Sequence, residues 1–376
     1  MSGLRIEGVS LHYGTGPVRF QALDQVDLQI SSGTFVTLLG PSGSGKTTLL
    51  RCIAGLVSPS AGRIMADDRL FYDAATSTGL PTRHRNLGMV FQAFALWPHM
   101  TVAANVGFPL KLRGWSTEKR NARVDELLEL VGLPGLGGRY PTQLSGGQQQ
   151  RVGLARAISC EPSLLLMDEP LSSLDARLRE EMRAHIRRLQ KTLGITVIYV
   201  THDREEALGL SDVVVILSRG KMVAKGTPQD LYRRPMDSFT ATFLSGWSKL
   251  GGVTALSARQ EGRWVERVQR QTSCSCGGNC AVMLPMEMSE PLVQAPASDH
   301  THISAEIMNV EFLGSSVRVE LRLPGADRTA FVTQSGAAAD SAIQLARGAH
   351  AGVPLRDFRI LCQPEFQPFR NQGGND

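Results

Sequence analysis

No stretch of this 376-residue chain approaches the roughly twenty consecutive apolar residues that a membrane span requires. The longest apolar runs, Val213–Leu217 and Ser163–Met167, have the length of buried strands. The opening residues, Met-Ser-Gly-Leu-Arg-Ile-Glu, lack the apolar core of a signal peptide. The expectation is a cytoplasmic chain that works on a membrane only through a partner. Charged residues make up 20% and apolar residues 42%, ordinary for a folded protein and too apolar for a disordered one. The net charge of +5 is compatible with an anionic membrane or nucleic acid, but a modest arginine excess on a solvated surface accounts for it equally. The length exceeds what one hydrophobic core usually holds, so two domains are expected. Cys52, Cys160 and Cys362 stand isolated and read as reduced, buried thiols.

The pattern of apolar residues supports an α/β domain followed by a β-rich one. Residues 4–30 alternate in short stretches, as antiparallel strands do. Thr34–Leu39 is a continuous apolar strand, residues 46–56 read as a helix, and Leu87–Phe91 is a further short strand. Val124, Leu127, Leu128 and Val131 fall on one face of a helix in a helical stretch between Thr101 and Ile158. Alternation then returns: strand 163–168, helix 176–193, strand 195–200, helix 203–209 and strand 212–218. In helix 176–193, Leu178, Met182, Ile186, Leu189 and Leu193 form the expected buried stripe. Beyond about Trp247, short Val-rich strands and Pro-Gly turns replace long helices, as in Ile303–Leu323, which reads as an all-β domain. The expected domains are 1–245 and 246–376, with the polar tail 367–376 disordered.

Three motifs carry chemistry. The first is Gly40-Pro41-Ser42-Gly43-Ser44-Gly45-Lys46-Thr47-Thr48, between a strand and a helix. Its glycines allow a tight turn whose N–H groups face phosphate oxygens, and the helix adds its positive dipole end. Lys46 is placed to reach the β- and γ-phosphates, and Thr47 to offer a hydroxyl to Mg²⁺. The second is Leu164-Leu-Leu-Met-Asp168-Glu169. A carboxylate ending an apolar strand is costly without a partner, and Mg²⁺, through water, is the natural one for Asp168. The third is Leu144-Ser145-Gly146-Gly147-Gln148 at the head of a helix, a second anion site. One chain does not need two γ-phosphate cradles for one ATP.

In their chain order, phosphate loop, Leu-Ser-Gly-Gly-Gln signature and Asp-Glu strand, the three motifs resemble the ATPase subunit of an ATP-binding cassette (ABC) transporter, over about the first 245 residues. The resemblance implies a P-loop NTPase cassette: a RecA-like core, a helical subdomain and an antiparallel β subdomain. It implies a head-to-tail dimer, in which Ser145, Gly146, Gly147 and Gln148 of one copy close over ATP held by the phosphate loop of the other. Asp175, in Ser172-Ser-Leu-Asp175, matches the loop that joins the two sites. Glu169 matches the catalytic carboxylate that activates water. Gln92, in Met-Val-Phe-Gln, would bind Mg²⁺ and water and couple to the permease. His202, in Tyr-Val-Thr-His, would contact the γ-phosphate and hold Glu169. Tyr13 sits where the family stacks an aromatic on adenine, although a tyrosine in a strand is also an ordinary packing residue.

The block Phe94-Ala-Leu-Trp-Pro-His-Met-Thr-Val-Ala-Ala-Asn-Val resembles importer ATPases of the maltose, sulfate, polyamine and ferric iron group. There it lines a groove for a permease helix, with Leu96, Trp97, Met100 and Val102 as candidate contacts. The C-terminal region resembles the transport-associated, OB-like domain of the same importers, clearest at Ile307-Met-Asn-Val-Glu-Phe-Leu-Gly-Ser. It departs from them at Met283-Leu-Pro-Met-Glu-Met, where many relatives carry Arg-Pro-Glu. The expected function is ATP-driven import, of ferric iron first or of a related small solute, at the cytoplasmic face of a bacterial membrane. The partners are a second copy and the permease subunits, with a substrate-binding protein indirectly and no nucleic acid. An ABC-type ATPase acting on DNA or the ribosome is the other reading, disfavoured by a single compact cassette without heptad runs. Cys274-Ser-Cys276-Gly-Gly-Asn-Cys280 is either a soft-metal or iron–sulfur site or a variable surface loop.

Overall fold

The computed structural model describes residues 3–14, 20–93, 95–252, 264–271, 280–286, 288, 292–294, 301–336, 338–339, 342 and 348–362. The chain divides into two compact units at Pro228–Gln229.

The first unit begins with β1 (Leu4–Tyr13) and β2 (Phe20–Ile30), then β3 (Phe35–Leu39) and α1 (Lys46–Ala54). Strands β4 (Ala61–Ala66), β5 (Arg69–Asp73), β6 (Thr78–Gly79) and β7 (Leu87–Val90) follow. Three helices come next: α2 (Val102–Leu112), α3 (Thr117–Leu130) and α4 (Gly146–Ile158). The unit closes with β8 (Leu164–Asp168), α5 (Ala176–Leu193), β9 (Thr196–Thr201), α6 (Arg204–Leu210), β10 (Val213–Ser218) and β11 (Lys221–Gly226). One sheet is antiparallel, in the order β2-β1-β4-β5-β6. The other runs β11-β10-β3-β9-β8-β7 and is parallel from β10 to β7.

Every residue of β3, β8 and β9 is buried, as a parallel sheet covered on both faces demands. Alternate side chains enter different cores. Val36, Leu38, Leu166, Ile198 and Val200 pack with α1 and the antiparallel sheet. Phe35, Leu165, Met167, Val197 and Tyr199 pack with residues of α2–α5, including Val124, Leu127 and Leu128, and with Val131 just after α3.

Two helix ends have identifiable causes. Helix α1 stops at Ala54, short of the expected residue 56, because Gly55 turns left-handed at φ +77° and its N–H returns to the helix carbonyls. Helix α4 begins at Gly146, inside the Leu144–Gln148 motif, because Ser145 and Gln148 form a reciprocal capping box. Along α5, Met182, Ile186 and Leu189 are buried, but Leu193 is 40% exposed. It borders a surface cleft with Arg123, Ile158 and Ile195.

The second unit contains α7 (Pro228–Arg233) from Gln229 onward, α8 (Ser238–Phe243), β12 (Ser248–Gly252), α9 (Trp264–Gln271), β13 (Cys280–Leu284) and β14 (Val293–Gln294). Strands β15 (His302–Phe312), β16 (Ser316–Arg322), β17 (Ala330–Ser335), β18 (His350–Pro354) and β19 (Arg359–Cys362) follow among the described residues. Among the described residues its sheets are β12-β13-β19 and β14-β18-β15-β16-β17, and these pairings are antiparallel. Residues 229–245 pack with this unit, Ala241 of α8 lying against Ala281 and Met283 of β13. The β-rich expectation omits α9. Trp264, Val265 and Val268 enter the core from one side of it, but two turns are too short to declare a helical period. The tail 367–376 lies outside the described residues.

Candidate functional site

Three strands of the parallel sheet end side by side. Leu39 of β3 pairs with Thr201 of β9, and Asp168 of β8 with Val200 of β9. Gly40–Gly45, Glu169 and His202 therefore leave the sheet at neighbouring carboxyl ends, the position where open α/β sheets bind ligands.

The phosphate loop needs its glycines. Gly43 and Gly45 have φ of +77° and +102°, and a Cβ on Gly40 would lie 2.2 Å from the Leu217 carbonyl oxygen. Lys46 is buried, and its Nζ donates to the carbonyl oxygens of Gly40 (2.8 Å) and Pro41 (2.9 Å). Burial lowers its pKa, opposed by the charges of Glu169 and Asp168. The ammonium thus sits inside the loop, held by carbonyls that an incoming phosphate can replace. Ser42 and Gly43 lie exposed on the loop's rim, Pro41 and Thr48 are half-buried, and Ser44 is buried beneath.

Thr47 Oγ1 donates to Asp168 Oδ1 at 2.8 Å. Burial raises the Asp168 pKa, against the Thr47 hydrogen bond and the Arg51 charge. A buried carboxylate and a hydroxyl together beside a phosphate loop are hard oxygen donors that fit Mg²⁺. Glu169 adopts φ +43°, a left-handed backbone unusual for a residue with a side chain. Its N–H donates to the Val200 carbonyl at 3.0 Å, and Ser172 Oγ donates to its carbonyl at 2.9 Å. So held, its Oε2 lies 3.1 Å from His202 Nδ1.

The structure brings Lys46, Thr47, Asp168, Glu169 and His202 together. The signature's own hydrogen bonds stay at its helix terminus, where Ser145 Oγ accepts from the Gln148 N–H and Gln148 Oε1 accepts from the Ser145 N–H. Ser145 and Gly146 are exposed, so the amino end of α4 is open to solvent. Gly147 is buried, and a Cβ there would lie 2.7 Å from Leu178 Cδ2. Asp175 caps α5, accepting from the Leu178 N–H at 2.9 Å. Gln92 is exposed two residues beyond β7, and Tyr13 is exposed at the end of β1 opposite Phe20.

A family model described as ABC transporter matches residues 23–172, and one described as TOBE domain matches residues 287–357. A sulfate/thiosulfate import ATP-binding protein of Thermosynechococcus vestitus is 44% identical over 322 residues, covering 85% of this chain and 87% of that protein. The chain belongs to the ABC transporter family. It is an import-type ATP-binding subunit with a C-terminal TOBE domain, and it binds and hydrolyses ATP. An Fe(3+) ions import ATP-binding protein of Pasteurella multocida is 52% identical over 231 residues, covering 61% of this chain and 64% of that protein. Among solved structures, a dimeric bacterial ABC transporter cassette is 34% identical with a TM-score of 0.53, covering 60% of this chain and 98% of that one.

Other motif residues of this ABC subunit fall out differently. Val102 has no exposed surface and belongs to the core, unlike the half-buried Leu96, Trp97 and Met100. Trp97 is held by Phe108, by the Arg156 guanidinium 4.8 Å from its ring centre, and by Asn105, which bonds its backbone on both sides. Cys52 is buried and free, its thiol pushed up to about 12 by burial. Cys160 is free but only half-buried. Cys280 opens β13, buried and disulfide-bonded, with Cys362 opposite it in register. Cys274 and Cys276 lie outside the described residues. Sequence reading missed Gln150, whose Nε2 ties the signature helix to the Pro170 carbonyl at 2.8 Å. It also missed Arg179, Asp203 and Glu206 behind His202, whose only sequence signal is acidic residues in the first turn of a helix.

Proposed function

We propose that two copies of this chain, arranged head to tail, hydrolyse ATP at two shared sites. They thereby drive import of a small inorganic ion through a permease at the cytoplasmic face of a bacterial membrane. One observation carries the hydrolytic reading: Thr47 on Asp168 and Glu169 on His202, side by side at the carboxyl ends of adjacent parallel strands. Gly40–Thr48 cradle the phosphates, with Lys46 exchanging loop carbonyls for phosphate oxygens. Tyr13 stacks on adenine. Thr47 and Asp168, with Gln92, would hold Mg²⁺, which supplies charge neutralisation on the phosphates when bound. Glu169 takes the proton of the attacking water, and His202 fixes the carboxylate. Ser145, Gly146, Gly147 and Gln148 of the second copy offer a helix amino end to the γ-phosphate, and Asp175 lies in the loop that joins the two sites.

Sulfate is the ion we favour, because the sulfate/thiosulfate relative aligns over 85% of this chain. Ferric iron is the second reading, supported by the higher cassette identity of 52% over 231 residues. The test is uptake of labelled sulfate and of labelled ferric iron in a strain lacking the gene, complemented with wild type or Glu169→Gln. We expect sulfate uptake to return with wild type and not with the variant. Iron uptake restored in its place moves the assignment to iron, and restoration of neither removes both.

A further inference from the structure

Behind His202 lies a network that the hydrolytic residues alone do not require. Arg179 sits in the first turn of α5, four residues after the cap Asp175. Its Nη2 donates to the Leu174 carbonyl at 3.0 Å and its Nη1 to Asp203 Oδ2 at 3.5 Å. Its Nε makes no hydrogen bond and lies 3.9 Å from Glu206 Oε1. Glu206 is buried, and its other oxygen accepts from Thr201 Oγ1 (2.7 Å) and Tyr199 Oη (2.9 Å). Thr201 Oγ1 in turn accepts from the Asp203 N–H at 3.0 Å. Both neighbours of His202 are thus tied to the Arg179–Glu206 pair, while the imidazole points outward to Glu169.

The same guanidinium grips the carbonyl of Leu174, within the Ser172–Asp175 segment. Ser172 is itself hydrogen-bonded to the Glu169 carbonyl. A cavity of about 40 Å³ separates the parts, lined by Glu169, Ser172, Arg179, Thr201, His202 and Glu206 among others, large enough for a water. Arg179 therefore touches the segment before α5 with one nitrogen and the base of the His202 turn with the others. Its Nε, without a hydrogen bond, faces the buried Glu206 carboxylate at 3.9 Å, whose pKa burial raises. A planar, rigid fork suits such a three-way contact in a way an ammonium does not.

We propose that Arg179 is a positioning residue for ATP hydrolysis, coupling the Ser172–Asp175 segment to His202 through Asp203 and Glu206. Its contacts run to Leu174, Asp203 and Glu206 and to none of the hydrolytic side chains. It sets where the imidazole holds Glu169, and it transmits displacement of the Ser172–Asp175 segment to that imidazole. The inference rests on the hydrolytic reading of Glu169 and His202 given above.

The test is a double-mutant cycle on the full chain, read as single-turnover hydrolysis with enzyme in excess, together with KM and thermal midpoint. Arg179→Ala is expected to slow hydrolysis at least tenfold with KM changed less than twofold. Arg179→Lys keeps the charge and the fold and is expected to slow it at least threefold. In a His202→Ala background either substitution should slow hydrolysis by less than twofold, because Arg179 acts through that side chain. Losses that multiply in the double variants, or a wild-type rate in Arg179→Lys, overturn the coupling. Should Arg179→Ala unfold, the Lys variant alone decides. Glu169→Gln run in parallel separates the two readings. Wild-type hydrolysis by that variant removes the site assignment, whereas its loss of turnover beside unaffected Arg179 variants removes the coupling alone.

Discussion

Glu169→Gln is expected to bind ATP as wild type does and to lose roughly 10²–10⁴-fold in turnover, the range a positioned general base supplies. The substitution keeps the side chain's shape and its reach to His202 Nδ1, 3.1 Å away. It removes the basic oxygen and leaves Lys46, Thr47 and Asp168 in place. It also removes one of the two carboxylates whose charge raises the Lys46 pKa, so phosphate meets one negative charge fewer. Affinity for ATP should therefore be unchanged or higher. The variant should also accumulate as an ATP-bound dimer, visible as a doubled mass on size-exclusion chromatography with light scattering. Turnover within threefold of wild type would remove Glu169 from the role of base. Tight ATP binding without dimer would leave the base in place and count against the shared-site arrangement.

The cassette was legible because its chemistry is local. A phosphate loop must follow a buried strand and precede a helix, so Gly40–Thr48 declare both their fold and their ligand. Asp168 and Glu169 announce themselves as charges at the end of an apolar strand. Helix α5 was bounded to the residue because Asp175 caps it and Gly194 ends it in a left-handed turn. What stayed hidden is non-local. Arg179 and Glu206 look like two charges on solvated helix faces, and only the packing of α5 against α6 brings them within 3.9 Å. Val102 reads as a surface contact in the one-dimensional motif, whereas the turn of α2 carries it into the core. Helix α9 was missed because an apolar face two turns long has no measurable period.

Arg85 is the clearest case of a residue that sequence reading passes over and the structure makes essential. It is 4% exposed, and its guanidinium donates to four backbone carbonyls. Nη1 bonds Cys52 (3.0 Å) and Ile53 (2.7 Å) in the last turn of α1, Nη2 bonds Phe71 of β5 (2.9 Å), and Nε bonds Leu80 (2.9 Å). The cation thus sits on the negative end of the helix dipole and fastens α1 to the antiparallel sheet. The ring of Phe71 lies 5.1 Å away, and Gly55 leaves the room, since a Cβ there would come within 2.5 Å of Arg85 Cζ. Arg85→Ala would take a donor from four buried carbonyls, of which those of Cys52 and Phe71 keep the backbone N–H groups of Gly55 and Leu80, and would open a cavity. The expected cost is about 3–5 kcal/mol, the sum of several lost charge-assisted hydrogen bonds and unpaired acceptors. For a unit of this size that is a fall in thermal midpoint of roughly 6–20 °C. Arg85→Lys should recover less than half of it, because one ammonium cannot reach four carbonyls spread over three segments. The other end of α1 carries Lys46 and Thr47, so ATP affinity should fall along with stability. A midpoint for Arg85→Ala within 2 °C of wild type, measured by scanning calorimetry, would show that the carbonyls find other partners.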